Sequence, residues 1–352
     1  MQKRPKIPEI DFVRAIAILA VLLIHGTSTA TLLTVGSASQ AIFFTLNRAC
    51  LFTVPVFIWI SGVVLFYNYY DHWEPRTSFV FWAKRLRRIL IPYLLWSVFY
   101  YFYNQLMFHG RIDLDAFYLF KLLLSGNASY HLYYMVIIVQ FYLLFPIVMT
   151  AVRKFRWLRQ GLIPLGLSIQ AASYCINHWL FPIPEYASLF ASYSALFAFG
   201  AFIGIHYASM IAWTSRNKLW IWLVLILGGV SFVGMLLLHQ YRLIALENTW
   251  FELALLLYCF AAALCLVEWG QRIFKKSSPL RAAMTGLGAA SFGIYLVHPA
   301  LLTLWDRLKP VQEQLMLYDL HTASSIPFGL FGSWLLVMLY RSAKKKGKAA
   351  AF

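Results

Sequence analysis

The amino-acid sequence predicts an all-α fold: a polytopic integral membrane bundle of about ten transmembrane helices. Of the 352 residues, 61% are hydrophobic and only 12% are charged, about half the charged share of an average soluble domain. A soluble fold of this length could not cover so much apolar surface with so few charges. The 13 Trp and 21 Tyr residues also suit the two aromatic belts of a membrane protein.

Ten apolar stretches have the length that a helix needs to cross a bilayer. They predict one transmembrane domain over residues 1–352, with no loop long enough for a soluble domain. The first stretch exceeds the apolar core of a signal peptide, which favours an uncleaved anchor; cleavage near Ala38 is the alternative. The stretches cover residues 12–33, 41–66, 89–108, 132–152, 161–181, 187–212, 219–238, 250–267, 287–304 and 324–340.

The distribution of Lys and Arg predicts how the chain is oriented. With the N-terminus in the cytoplasm, the cytoplasmic segments hold 23 basic residues and the outer loops hold five, as the positive-inside rule requires. Both termini are therefore expected in the cytoplasm, and residues 341–352 form a basic tail that touches anionic lipid. The longest outer loop, 109–131, has apolar residues at near-helical spacing, which predicts a short helix lying on the outer face.

Several classes of protein are excluded. The net charge of +17 does not indicate nucleic-acid binding, because the basic residues lie in breaks between apolar stretches. The four cysteines lie within apolar stretches at no metal-ligand spacing and are expected to be buried small hydrophobes. The sequence contains no HExxH, P-loop or GxSxG motif, so no metal is expected.

Arg14 and His25 are the first candidates for chemistry. They are eleven positions apart on the first span, which places them on the same helix face and about 16 Å apart along the axis. An ionisable residue near mid-bilayer is costly and is a functional candidate. Histidine, with a reference pKa of about 6.5, suits a general base that activates a hydroxyl. The structural alternative is a neutral His25 hydrogen-bonded between helices.

Arg85 and Arg88 open the third span from the cytoplasmic side. Three residues apart, they are neighbours on one side of a helix, where they could bind the phosphates of a nucleotide-like ligand. A stop-transfer anchor for lipid phosphates is the alternative. Pro92, just inside the span, can kink the helix and open a cavity.

Three further polar residues are second-rank candidates. Ser61 precedes Gly62 at the end of the second span, where close helix packing is the alternative role. His131 opens the fourth span and could be only an interfacial residue. His298 lies deep in the ninth span, directly before the helix-breaking Pro299.

Taken together, five short motifs resemble the membrane acyltransferase-3 family, integral-membrane O-acyltransferases with ten-helix domains. The resemblance covers almost the whole chain. The sequence departs from the usual opening, since Asp11-Phe12-Val13-Arg14 stands where many members have Asp-Gly-Leu-Arg, but Arg14 stays in place. The motifs are Arg14–His25, similar to an Arg-x10-His signature; Phe57–Gly62, an aromatic Ser-Gly motif; Arg85–Pro92, an Arg-x-x-Arg…Pro segment; His131–Tyr134, a His-Leu-Trp-Tyr pattern with Tyr133 where Trp is common; and Ser291–His298, a Tyr-Leu-x-His motif.

The resemblance implies transfer of an acyl group, commonly acetyl from acetyl-CoA, to a carbohydrate or other cell-envelope acceptor. With no fused soluble domain, the chain resembles stand-alone members that modify envelope glycan or exopolysaccharide. We expect the phosphates of acetyl-CoA near Arg85 and Arg88, Arg14 along the path of the pantetheine arm, and His25 as the base toward an acceptor hydroxyl. Ser61, His131 and His298 would position these groups.

The resemblance also implies a setting: the plasma membrane of a bacterial cell, with polysaccharide-synthesis machinery as a partner. A carrier that exports a glycan or flips a lipid-linked precursor is the rival interpretation, since ten helices with intramembrane charges and prolines suit it equally. An inactive scaffold within a polysaccharide-synthesis complex is the third.

Overall fold

A computed structural model describes residues 4–275, 277–308 and 314–349. Over these residues the chain is helical, with no β-strand, so the predicted all-α class is confirmed. Fourteen α-helices follow in chain order: α1 (Glu9–Thr27), α2 (Ala38–Ala49), α3 (Thr53–Tyr69), α4 (Ser78–His109), α5 (Ala116–Ser125), α6 (Tyr133–Lys154), α7 (Arg156–Gln160), α8 (Leu162–Cys175), α9 (Ser194–Ile205), α10 (Tyr207–Arg216), α11 (Lys218–Gln240), α12 (Asn248–Phe274), α13 (Pro279–Asp306) and α14 (Leu315–Ala349).

Seven helical segments in the described ranges are long and apolar enough to cross a bilayer. The chain is therefore a multi-pass membrane protein, but the predicted count of ten spans and the cytoplasmic location of both termini stay predictions. The seven are α1, α2 with α3, α6, α11, α12, α13 and α14 through Lys344.

Three predicted spans are not among these seven segments. The span predicted at 89–108 belongs to the 32-residue α4, whose C-terminal half carries several Tyr residues, Asn104 and Gln105 that make it less apolar. The span predicted at 161–181 is the 14-residue α8 followed by a π-helical segment, Ile176–Leu180. The span predicted at 187–212 bends by 102° between α9 and α10, so it is a broken span or a re-entrant segment.

Predictions at the chain ends and in the longest loop have mixed outcomes. The loop helix exists as α5, with the Asp115 carboxylate accepting from Tyr118 N–H at its start. Its apolar side chains are exposed, Phe117 by 79% and Leu124 by 65%. At the C-terminus α14 continues to Ala349. The remainder of the predicted basic tail, 350–352, lies outside the described residues, as do Lys3, Lys276 and Lys309.

The chain divides into two compact units. The first unit holds Phe57–Met210 together with the residues before Lys6, and the second holds Lys6–Val56 and the chain from Ile211 on. The second unit is thus assembled from two segments that are distant in sequence.

Helix α1 is the central helix of the second unit and packs against α2, α12, α13 and α14. It begins after Pro8, and Glu9 and Asp11 lie in its first turn, where acidic side chains stabilise the positive end of the helix dipole. Its alanines, among them Ala15 and Ala17, are fully buried. In lipid the hydrophobic effect does not favour helix association, and small residues let neighbouring helices approach closely enough to pack.

The contacts along α1 fix the direction of its neighbours. The backbone of Asp11 touches Gly288 near the start of α13, and His25 lies beside His298 in the later half of α13. The two helices therefore run parallel, as the predicted topology requires of the first and ninth spans. Helix α14 runs antiparallel to α13, since Arg341 donates to the carbonyl of Ala289 at 2.6 Å.

In the first unit, glycines bring α3 and α9 into backbone contact. A Cβ at Gly62 would overlap the carbonyl oxygen of Phe197, and a Cβ at Gly200 would overlap that of Trp59. Gly62 therefore has the role in close helix packing that was the alternative for the Ser61-Gly62 pair.

We predict that Gly288→Ala destabilises the protein, while Gly286→Ala does not. A Cβ at position 288 would overlap Asp11 O and Cα, whereas a Cβ at 286 meets nothing within 4 Å. Overpacking of this kind costs about 1–3 kcal/mol, and both changes gain the same helix propensity. Thermal unfolding in detergent measures the difference, and equal melting temperatures for the two variants would contradict the close contact of α1 with α13.

Candidate active site

The second unit brings two histidines together inside the bundle. His25 projects from α1 and His298 from α13, with ring centroids 5.4 Å apart and ring planes tilted by 30°. His298 is fully buried, while His25 is half-buried. Sequence analysis singled out both residues but did not place them side by side.

Polar side chains surround the part of α1 that carries His25. Asn47 of α2 donates to the carbonyl of Ile24 at 2.7 Å and to Thr27 Oγ1 at 3.1 Å. Ser325 of α14 donates to the carbonyl of Gly26 at 3.3 Å. Asn47, Thr27 and Ser325 are all buried. The backbone on both sides of His25 is therefore held by side chains from two other helices.

Arg14 is held by a buried carboxylate one turn earlier. Asp11 is 3% exposed. Its carboxylate pairs with Arg14 at 3.4 Å and with Lys6 at 2.6 Å. The side chain of Arg14 keeps 34% of its surface exposed. The guanidinium is thus anchored on one side and accessible on the other.

Arg14 and His25 share one uninterrupted helix. At about 100° per residue, eleven positions return almost to the same face, so the sequence prediction of a common face agrees with the observed helix. The two positions lie about 16 Å apart along the helix axis.

The predicted phosphate-binding arginines lie in the first unit. Arg88 is exposed, and Arg85 is half-buried with its guanidinium 5.5 Å from the centre of the Tyr69 ring. Both lie on α4, with Arg87 exposed between them. Pro92 does not end α4, which continues to His109. The two arginines can still present their donors to an anion.

Ser61 and His131 also lie in the first unit. Ser61 donates from Oγ to the carbonyl of Phe57 at 3.1 Å, one turn earlier in its own helix. His131 is 2% exposed; its Nδ1 lies 3.1 Å from Ser129 Oγ, and its ring contacts Tyr100. Burial of His131 in the protein does not decide between a functional role and the alternative of an interfacial residue.

Three residues that hold the candidate site were not predicted: Asp11, Asn47 and Ser325. Asp11 carried a signal, because an acid three residues before Arg14 lies on the same side of a helix. No signal in the sequence indicated Asn47 and Ser325, since their partners lie on a different helix. In the described ranges no three His, Cys, Asp or Glu side chains gather as a metal site.

The second unit brings two imidazoles and several buried polar side chains together inside the bundle. An imidazole inside an apolar bundle can act as a general base when it is within hydrogen-bond reach of a substrate hydroxyl. The paired histidines and the hydrogen-bonded backbone around His25 form a polar cluster inside the bundle, and polar groups within a membrane-spanning bundle are candidates for function.

Comparison with known proteins identifies the class. A family model described as an acyltransferase domain matches residues 7–340, nearly the whole chain. The protein therefore belongs to the membrane acyltransferase-3 family, and the resemblance found in the sequence motifs is confirmed. A comparison with curated proteins finds no match, and neither does a comparison with solved structures.

We predict that Asp11→Asn destabilises the protein far more than Glu74→Gln does. Asp11 is a buried carboxylate facing two cations, whereas Glu74 pairs with Arg76 where both side chains are exposed. A hydrogen bond to a charged group contributes about 1.5–3 kcal/mol, and Asn at position 11 keeps only one of the two acceptor oxygens, whereas an exposed pair is worth about 0–1 kcal/mol. Thermal unfolding of both variants checks this, and a loss of equal size in the two would refute the structural role of Asp11.

Proposed function

We propose that the protein is a membrane-bound O-acyltransferase that moves an acetyl group from acetyl-CoA to a hydroxyl of a cell-envelope carbohydrate or exopolysaccharide. Membership of the acyltransferase-3 family supports the acyl transfer. The plasma membrane of a bacterium is the proposed location, beside the polysaccharide-synthesis machinery that supplies the acceptor.

His25 is the proposed general base, and the observation that carries this role is its place among polar groups inside the bundle. A hydroxyl is a poor nucleophile until a base takes its proton. The His25 ring takes that proton while the hydroxyl oxygen attacks the thioester carbon. The carbon–oxygen bond forms, the carbon–sulfur bond breaks, and the CoA thiolate leaves with the proton from the imidazolium. The products are an acetyl ester and free CoA.

Arg85 and Arg88 are the proposed ligands of the CoA phosphates. Arginine binds phosphate through two parallel charge-assisted hydrogen bonds, and both side chains lie at the basic start of α4. Arg14, with its accessible guanidinium, is the proposed contact for the amide-rich pantetheine arm. Ser61 and His131 are proposed only as positioning groups.

His25→Ala is expected to reduce acetylation of envelope glycan at least 100-fold, because general-base catalysis contributes about 10²–10⁴-fold. The assay follows label from acetyl-CoA into glycan in inverted membrane vesicles. His178→Ala, a histidine exposed on the π-helical segment, is the matched control and should keep wild-type activity.

Two outcomes of this assay oppose the proposal. Full acetylation by His25→Ala at the normal protein level would exclude His25 as the base. Movement of glycan across the vesicle membrane by the wild-type protein, with no transfer of label, would favour the carrier and overturn the acyltransferase assignment.

The double substitution Arg85→Ala with Arg88→Ala is expected to weaken acetyl-CoA binding by about 10-fold or more, since a hydrogen bond to a charged group contributes about 1.5–3 kcal/mol. Equilibrium binding of labelled acetyl-CoA to the purified protein measures this. Arg87→Ala removes one positive charge, half of what the double substitution removes, from an exposed position on the same helix and should change binding less than 3-fold. Equal losses in both variants would assign the effect to net charge and move the donor site elsewhere.

A further inference from the structure

Two neighbouring tyrosines at the end of α3 each contact an arginine from another helix. The Arg159 guanidinium of α7 donates from Nη1 to the hydroxyl oxygen of Tyr70 at 2.7 Å. The Arg85 guanidinium of α4 lies 5.5 Å from the centre of the Tyr69 ring. All four residues belong to the first unit. Two cations from separate parts of the chain therefore lie against adjacent residues at one helix end.

Aromatic packing fixes the position of this helix end. Four rings contact one another, with centroids 4.6–6.1 Å apart in every pair: Tyr69, Trp73, Phe81 and Phe145. Phe81 belongs to α4 and Phe145 to α6, so the cluster joins both helices to the end of α3. Aromatic pairs of this kind contribute beyond the burial of their surface. Because Arg85 lies one turn after Phe81, the same packing sets its position.

The position of Arg159 is set by the end of α6 and by Tyr70. Thr150, near the end of α6, accepts a hydrogen bond on Oγ1 from Trp73 Nε1 at 3.0 Å. This bond ties α6 to the segment that follows α3, and α7 begins only two residues after α6 ends. The Tyr70 hydroxyl then holds one nitrogen of the guanidinium.

No acid neutralises either arginine. The two acids that follow α3, Asp71 and Glu74, pair with other arginines. Within the described ranges, neither Arg85 nor Arg159 forms an ion pair. Tyr70 binds only Nη1 of Arg159, which leaves the edge with the Nε and Nη2 hydrogens for another acceptor. That edge matches two oxygens of one phosphate group.

We propose that Arg159 binds the 3′-phosphate of acetyl-CoA, and that Tyr70 positions its guanidinium for that contact. The inference rests on the proposed function and deepens the donor site at Arg85 and Arg88. Coenzyme A carries two linked phosphates in its diphosphate and a third, separate phosphate on its ribose. Arg85 and Arg88 are neighbours on one side of a helix, which suits the linked pair. Arg159 stands on a different helix and suits the separate phosphate.

Equilibrium binding of two ligands to the purified protein in phosphatidylcholine nanodiscs tests this. The ligands are acetyl-CoA and acetyl-dephospho-CoA, which lacks only the 3′-phosphate. We expect the wild-type protein to bind acetyl-CoA at least 10-fold more tightly, because the second ligand loses a bidentate arginine–phosphate contact. In Arg159→Gln this preference should fall below 3-fold, since the lost contact is then the same for both ligands.

Two further variants separate the contact from net charge and from packing. Arg156→Gln removes the same charge from an exposed position on the same helix and should keep the wild-type preference. Tyr70→Phe keeps the charge of Arg159 but removes the hydroxyl that holds it. Its preference should fall between those of the wild type and Arg159→Gln, a change that a purely structural role of Tyr70 does not produce.

Equal affinity of the wild-type protein for the two ligands would overturn the proposal, and that result does not depend on the folding of any variant. A full preference in Arg159→Gln would overturn it too, as would an equal loss in Arg156→Gln. If the wild-type protein binds neither ligand, the acetyl-CoA donor of the proposed function fails as well. Binding of acetyl-CoA without a preference removes only the role of Arg159.

A lipid headgroup offers the same phosphate chemistry, and nanodiscs that also contain phosphatidylglycerol distinguish the two sources. The proposal expects the wild-type preference for acetyl-CoA to persist there, and phosphatidylglycerol to raise the unfolding temperature of the wild type and of Arg159→Gln equally. A rise that Arg159→Gln abolishes, together with equal affinity for the two ligands, would assign Arg159 to the lipid headgroup and overturn the proposal.

Discussion

The backbone contact between α1 and α13 determines much of the second unit. Gly288 has no side chain, so α13 can lie directly against Asp11, and parallel packing then carries His25 and His298 to the same level. Inside a bilayer the hydrophobic effect does not press helices together, and close packing and hydrogen bonds do so instead. The residues that hold the site are accordingly small or polar, and they are spread over α1, α2, α13 and α14.

The sequence predicted the fold class and several elements well, because the lipid bilayer restricts the structures that an apolar stretch can adopt. Long apolar stretches have few alternatives in lipid, because every backbone group must bond within a helix. The predicted spans stay unconfirmed at three places where the helix does not match the apolar stretch: α4 is long but rich in Tyr, α8 is short, and the chain bends by 102° after α9. Bends of this kind are set by tertiary packing, which apolar content does not encode.

Local spacing predicted pairs on one helix but not pairs between helices. The common face of Arg14 and His25 follows from helical period alone, and the continuous α1 agrees with it. The approach of His298 to His25 joins residues 273 positions apart in the chain, and no periodicity specifies it. The hydrogen bonds from Asn47 and Ser325 to the backbone of α1 also join residues on different helices, so no periodicity predicts them. The sequence therefore predicts the helix that carries Arg14 and His25, whereas the contacts that His298, Asn47 and Ser325 make with that helix are seen only in the structure.

The division of the second unit into two distant segments has a consequence for biogenesis. Helix α1 leaves the ribosome before α13 by some 270 residues, and at about 5–20 residues per second it waits roughly 14–54 s for α13, whereas α2 follows it directly. During that interval Arg14 and His25 face lipid or the insertion machinery, while Asp11, already present in the first turn, neutralises nearby positive charge. A nascent chain halted after α3 should therefore depend on membrane chaperones more strongly than the finished protein does.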